Sequence, residues 1–197
     1  MCSARAPGSD AAATGGCPSF ETVIELFHKR IYNLVYRLLG DFDEAADLAQ
    51  ETFVKAYKAY SRFRGTSEAV YPWLCQIAVN GCKNKFKEKG RRNRYEIMSL
   101  DESVETEDSS LLLEIGDESA SPADICERRE LEAKIHEAIQ ALPPEFRVVL
   151  VLRDMQGLSY KEIADATGLT MEAVKSRLFR GRGVLRRRLA AYVGKPD

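Results

Sequence analysis

The sequence predicts an all-α protein made of two small helical domains joined by an acidic linker, and three observations carry that prediction. Apolar residues recur at helical spacing from Phe20 to Leu38, from Ala46 to Tyr60, from Leu74 to Cys82 and from Ile125 to Leu142. An acidic stretch rich in Ser and Glu, residues 96–122, separates the first three of these runs from the last. Near the C-terminus, LSYKEIADATGLTMEAVKSRLFRGRGVLRRR places two helix starts on either side of a glycine turn. At 197 residues, 45% of them hydrophobic, the chain is long enough for one or two small domains.

Residues 1–18, MCSARAPGSDAAATGGCP, are small, polar and without periodicity, and are expected to be disordered. Phe20, Val23, Ile24, Phe27, Ile31, Leu34, Val35 and Leu38 then mark one face of an amphipathic helix ending at Gly40. A second helix is expected from Asp43, with Ala46, Ala49, Phe53, Ala56, Tyr57 and Tyr60 inward and Asp47, Gln50, Glu51 and Lys55 on its polar face. SRFRGTSEAVY, residues 61–71, breaks the pattern and reads as a loop, after which Pro72 suits the first turn of a third helix. That helix buries Leu74, Ile77, Ala78 and Cys82, leaving Gln76, Asn80, Lys83, Asn84 and Lys87 on other faces. Phe63, Tyr71 and Trp73 lie beside Arg64, Lys83 and Lys85, the mix of stacking surfaces and phosphate-tracking charge that holds single-stranded nucleic acid. The same spacing also fits Phe63 and Trp73 as core residues beneath a loop.

Beyond the linker, Ile125, Leu131, Ile135, Ala138, Ile139 and Leu142 restore helical periodicity, which stops at Pro143-Pro144. PEFRVVLVLRDM follows as a further helix and leads through Gly157 into the paired-helix segment. Ser159 and Glu162 form a capping box, Gly168 supplies a left-handed turn, and Thr170 caps the next helix. Ile163, Val174 and Leu178 would close a small core, with the small Ala164 where the two helices cross. This is helix-turn-helix spacing. The outer face of its second helix shows Lys175, Ser176, Arg177, Phe179, Arg180 and Arg182, followed by Arg186, Arg187 and Arg188. From Thr170 to Ala190 there are seven basic residues and one acidic, Glu172, which suits a major groove lined by phosphates. The plain alternative is a solvated basic helix in an ordinary bundle. Gly181 and Gly183 stand where alanine-like helix formers are expected, and each costs about 1 kcal/mol of helix stability.

The domain organisation read from these patterns is a disordered extension over 1–18, a first helical domain over 19–95, the acidic linker over 96–122 and a helix-turn-helix domain over 123–192. The net charge of −1 hides a segregation: residues 83–94 hold seven basic residues and one acidic, and residues 96–127 hold eleven acidic and none basic. Two basic patches separated by an acidic spacer point to two nucleic-acid contacts. No run approaches the eighteen or so apolar residues of a membrane span, and the N-terminus lacks the pattern of a secretory signal, so a cytoplasmic protein without membrane insertion is expected. Five cysteines, at 2, 17, 75, 82 and 126, form no C-x-x-C pair, which argues against a disulfide framework or a zinc site; Cys75 and Cys82 read as core thiols. No metal or other cofactor is implied.

DEAADLAQETFVKAYKAYSRFRG with WLCQIAVNGCKN resembles region two of the extracytoplasmic-function (group four) sigma factors of bacterial RNA polymerase. LPPEFRVVLVLRDMQGLSYKEIADATGLTMEAVKSRLFRGRGVL resembles their region four, and region three is absent, as in that family. The two together, in this order, cover most of Phe20 to Leu189. The resemblance implies that Asp47, Gln50 and Glu51 dock on the clamp helices of the largest subunit of core polymerase. It implies that the loop from Phe63 to Trp73, with Arg64, Ser67 and Tyr71, captures an unstacked base of the minus-ten element, and that Asn80 and Lys83 contact the same element. Lys175, Ser176, Arg177, Phe179 and Arg180 match the positions that read the minus-thirty-five element; Arg180 suits a bidentate contact to guanine and Phe179 a thymine methyl. The run GTSEAVYPW is one residue longer than is common in the family. Promoter DNA, core polymerase and an anti-sigma factor are the partners that the resemblance implies.

Two other functions compete. An ordinary regulator that dimerises through its N-terminal helices would not need the D-x-x-Q-E face or the aromatic loop. An enzyme would need more than His28 and His136, which have no ligand-like or nucleophile-base spacing, and more carboxylates outside the linker.

Overall fold

The structure, a computed structural model, describes residues 17–96 and 122–190, and side chains over 17–90 and 130–190. The expectations for the N-terminal extension and the acidic linker therefore fall almost wholly outside the described residues. Among those residues every regular element is helical.

Helix α1, Phe20–Leu39, begins where the Ser19 hydroxyl accepts the Thr22 amide and ends at Gly40, whose φ of 80° lets its N–H reach the Tyr36 carbonyl. Its buried stripe is Phe20, Val23, Ile31, Leu34, Val35 and Leu38. Ile24, expected inside, lies at the edge of that stripe and is 40% exposed. Helix α2, Phe42–Tyr60, is capped by the Asp41 carboxylate, which accepts the Glu44 amide at 2.8 Å. Its inner face differs from the expected one: Ala45, Leu48, Ala49, Thr52 and Ala56 are buried, Ala46 and Phe53 are half-buried, and Tyr57 is exposed. Alanines on several faces leave the register of this helix undecided in the sequence, and Leu48 fixes it by burying its larger side chain. The Thr52 hydroxyl donates to the Leu48 carbonyl at 2.7 Å, so its burial leaves no unmet donor.

The loop is shorter than expected. After residues 61–66 a single 3-10 turn, Ser67–Ala69, leads into α3, Val70–Glu96. Pro72 occupies the first turn of α3, where its missing N–H needs no partner. Val70, Tyr71, Leu74, Cys75, Ala78, Val79 and Cys82 are buried, and Ile77 is half-buried. Burial pushes the thiols of Cys75 and Cys82 up to about 12, as befits unreactive core groups. α1, α2 and α3 pack on one another as a three-helix bundle.

In the second half, α4 is Pro122–Gln140 and α5 is Pro144–Leu150, with Pro143 breaking the chain between them. Ala138, Ile139 and Leu142 are buried, whereas Leu131 is 47% exposed. α5 runs on into one π turn, Val151–Met155, which the sequence pattern does not reveal. Helices α6, Tyr160–Thr167, and α7, Met171–Leu189, complete the chain, with α7 packed on α5 and α6. The two halves also pack on each other, α3 against α6 and α1 against α4, α5 and the π turn, so that one buried apolar cluster runs through both.

Candidate nucleic-acid interface

The helix-turn-helix forms from local signals. The Ser159 side chain accepts the Glu162 amide while the Glu162 carboxylate accepts the Ser159 amide at 2.7 Å, closing the capping box. Gly168 ends α6 at φ 70°, with its N–H on the Ala164 carbonyl at 2.8 Å. The Thr170 hydroxyl then accepts the Ala173 amide and starts α7. Ile163, Val174 and Leu178 are buried at the corner, as the spacing predicts. They fix the rotation of α7, and with it the outward direction of its other face.

On that face Lys175, Ser176, Phe179 and Arg180 are exposed and Arg177 is half-buried. Phe179 is 82% exposed, a large aromatic that contributes little to the fold. Arg182 is committed elsewhere: its guanidinium grips the Asp154 carboxylate, with Nε on Oδ2 at 3.0 Å and Nη2 on Oδ1. Those hydrogen bonds raise the Arg182 pKa and tie α7 to the π turn. Arg153 braces the start of α6, donating to the Leu158 carbonyl at 2.8 Å and lying over the Tyr160 ring. The base-reading candidates are thus one exposed patch on a buttressed helix.

The residues that the resemblance assigns to the minus-ten element separate into three places. Phe63 and Trp73 meet at 4.8 Å between ring centroids, and Tyr60 stacks on Phe63 at 6.1 Å. All three rings are half-buried, so Phe63 and Trp73 are both loop foundation and partly exposed surface. Gly65 closes over the cluster, where a Cβ would run into the Phe63 ring. Arg64, exposed, donates to the Ser61 and Phe63 carbonyls, and Ser67 is exposed in the 3-10 turn. At the start of α3, Tyr71 is instead 7% exposed, with the Arg30 guanidinium 3.7 Å from its ring centre and its hydroxyl on Gln156. Burial is the main reason its pKa is raised. Asn80 is exposed on α3, whereas the Lys83 ammonium is half-buried and donates to the Thr167 carbonyl at 2.5 Å. Desolvation, then the like charges of Lys87 and Arg177, lower the Lys83 pKa.

Asp47, Gln50 and Glu51 share one exposed face of α2, where Glu51 pairs with Lys55 at 2.8 Å. Val54, 52% exposed, and Tyr57, 66% exposed, continue that face by another turn or so. The sequence reading missed the apolar part of this surface because it placed Tyr57 inside. Among the described residues no cluster of His, Cys, Asp and Glu side chains could hold a metal, and no helix is long and apolar enough to cross a membrane.

Comparison with known proteins agrees with this architecture. Residues 23–92 match the family Sigma-70 region 2, and residues 132–185 match Sigma-70, region 4. The RNA polymerase sigma-H factor of Pseudomonas aeruginosa is 38% identical over 164 residues, 83% of this chain and 82% of that protein. The ECF RNA polymerase sigma-E factor of Escherichia coli K12 is 34% identical over 168 residues, 85% of each chain. Among solved structures, the sigma factor RpoE of Bartonella quintana, in complex with the anti-sigma factor NepR, superposes with a TM-score of 0.64 at 21% identity, covering 89% of this chain and 98% of that one. CnrH in complex with the cytosolic domain of CnrY gives a TM-score of 0.55 at 24% identity, covering 87% and 88%. These two likenesses concern the fold. With both sigma regions present in order, and with relatives above 30% identity matched over more than four-fifths of their length, the chain belongs to the extracytoplasmic-function sigma factors of RNA polymerase.

Proposed function

We propose that the chain binds core RNA polymerase and directs it to promoters with specific minus-ten and minus-thirty-five elements, with no catalytic activity of its own. The observation that carries this reading is the exposed patch of Lys175, Ser176, Phe179 and Arg180 on the second helix of a helix-turn-helix, held in register by Ile163, Val174 and Leu178. A basic, aromatic-bearing helix with its apolar face already buried has groove recognition as its remaining use. Asp47, Gln50 and Glu51, extended by Val54 and Tyr57, form the docking face for the polymerase clamp helices. Phe63, Arg64, Ser67, Trp73 and Asn80 contact the minus-ten strand, joined by Lys83 and Tyr71 once these are released from the contacts described above.

The domains act as 19–95 for core and minus-ten binding and 123–192 for minus-thirty-five binding, with 96–122 between them. In the cell the chain works in the cytoplasm, responds to envelope or other stress, and is held in check by an anti-sigma factor; the two structural relatives were both solved with such a partner or with a cytosolic domain bound. Purified core polymerase supplemented with this chain, challenged with a promoter library, tests the reading directly. Chain-dependent transcripts sharing two upstream motifs are expected. Failure of the chain to co-elute with core polymerase, or transcripts without a common motif, would overturn it.

A further inference from the structure

We propose that Asp154 is a positioning residue that sets the base selectivity of α7: it keeps Arg182 off the DNA phosphates and holds the helix at a fixed rotation. This rests on the reading of α7 as the minus-thirty-five helix. Arg182 stands one turn beyond Phe179 and one turn before Arg186, all three exposed, so it belongs to the outward row of α7. A long cation in that row has DNA phosphate as its natural partner, and a phosphate contact adds affinity for every sequence alike. Here the guanidinium is already engaged within the protein, with Nε on Asp154 Oδ2 at 3.0 Å and Nη2 on Oδ1. The two side chains are 47% and 35% exposed, so they stand where DNA would otherwise compete for the guanidinium. A two-point bond of this kind fixes orientation as well as distance, which a single contact does not.

The backbone under Asp154 departs from the α-helix to make this bond. The Gln156 amide reaches back to the Val151 carbonyl at 3.0 Å, one residue further than an α-turn allows. One residue corresponds to about 100° of rotation, so the wide turn re-aims the side chains that it carries. Arg153 and Asp154, neighbours in the chain, leave it toward different helices. Arg153 donates to the Leu158 carbonyl at 2.8 Å and lies over the Tyr160 ring at the start of α6, while Asp154 takes hold of α7. One turn thus braces both members of the helix-turn-helix. Arg182 lies about 12 Å further along α7 than Val174, at about 1.5 Å per residue. Lys175, Ser176, Phe179 and Arg180 therefore fall between the buried corner and the brace.

Selectivity is a difference between affinities, and both parts of the brace widen it. Released from Asp154, Arg182 would add one phosphate contact on any duplex. A less constrained α7 would also align its base-reading side chains less well on the correct one. One phosphate contact steepens the fall of log affinity with log salt by about 0.9, which amounts to about three-fold between roughly 50 and 200 mM.

The test uses the full chain assembled with core polymerase and two promoter duplexes with the same minus-ten motif. One carries the upstream motif selected from the promoter library, and the other has that motif scrambled. Affinities are measured by fluorescence anisotropy across roughly 50 to 200 mM salt for the unsubstituted chain, Asp154→Asn, Asp154→Glu, and Asp154→Asn combined with Arg182→Gln. Asp154→Asn is expected to bind the scrambled duplex about three-fold more tightly at low salt, with a salt slope steeper by about 0.9, and to gain nothing on the motif duplex. Selectivity then falls by about three-fold. Asp154→Glu, which keeps a carboxylate for the guanidinium, is expected to retain selectivity, and the doubly substituted chain to bind the scrambled duplex as the unsubstituted chain does. A chain that had merely lost stability would bind the scrambled duplex less tightly, so the sign of the change separates the brace from damage to the fold. Unchanged affinities in Asp154→Asn, or equal gains on both duplexes, would overturn the proposal. Weaker binding of the scrambled duplex by the doubly substituted chain would do the same, since Arg182 would then already be on phosphate. If the unsubstituted chain does not prefer the motif duplex, the proposal falls with its premise, the reading of α7.

Discussion

Gly181 and Gly183 look alike in the sequence, both being helix-weakening residues in the middle of α7. The fold separates them. Gly181 is buried where α7 crosses α5, and a Cβ there would sit 3.3 Å from the Phe146 Cβ, whereas at Gly183 nothing lies within 4 Å. Gly183→Ala is therefore expected to stabilise the chain by up to about 1 kcal/mol, and Gly181→Ala to give no comparable gain because the crossing must widen. Thermal melting of the two variants checks this, and equal stabilisation would contradict the packing argument. Arginines divide in the same way. Arg182 is held by Asp154, and Arg147 lies in the interior, while Arg180 and Arg187 are exposed. Arg180→Ala should cost about 1–3 kcal/mol at one upstream promoter position and relax base choice there. Arg187→Ala, losing a phosphate contact, should weaken all promoter sequences alike and flatten the salt dependence. Identical effects of both on every promoter variant would show that α7 does not read bases.

At the scale of the element, what was legible depended on how local its cause is. The boundaries of α6 and α7 follow from Ser159, Glu162, Gly168 and Thr170, each acting within four residues, and the structure places all of them as the sequence implies. The facing of α2 was not legible, because its alanines suit either side and only packing against α1 and α3 selects Leu48 over Tyr57. The exposed side of α2 was nonetheless identified, and Asp47→Ala with Gln50→Ala is expected to weaken core polymerase binding while stability stays within about 0.5 kcal/mol. A co-elution assay beside a melting curve separates the two quantities, and undiminished affinity would remove these residues from the docking face. The seam between α1 and α4 was invisible to periodicity, though one sign was present: a lone arginine, Arg147, inside the apolar run PEFRVVLVL. On that seam His136 stacks on Tyr36 at 4.6 Å, and burial first, then Arg37 and Arg147, bring its pKa down from 6.5 to about 4. An imidazole depressed in the fold takes up a proton on unfolding between those values, so stability is complete above about 6.5 and is lost as pH falls toward 4. His136→Phe should flatten the decline of melting temperature between about pH 7 and about pH 4.5. An unchanged decline would place the acid sensitivity elsewhere.

At the scale of the whole molecule, the sequence shows two units and their order but not their mutual contact, since the bonds that join them connect residues 84 or more positions apart and end mostly on main-chain carbonyls, which carry no sequence signature. The proposed function gives the acidic stretch a task the helical halves do not define. Fully extended, residues 96–122 reach roughly 90 Å at about 3.3–3.6 Å per residue, and as a coil they average nearer 30 Å. When the halves grip elements roughly 70 Å apart, most of that length is needed. Deleting about fifteen residues leaves a reach of roughly 40 Å, too little for halves engaged on both elements. The shortened chain is therefore expected to keep its binding to core polymerase and to lose initiation at normally spaced promoters. Run-off transcription with the deleted and the complete chain measures this, and full activity of the shortened chain would mean that its two halves need not hold both promoter elements at once.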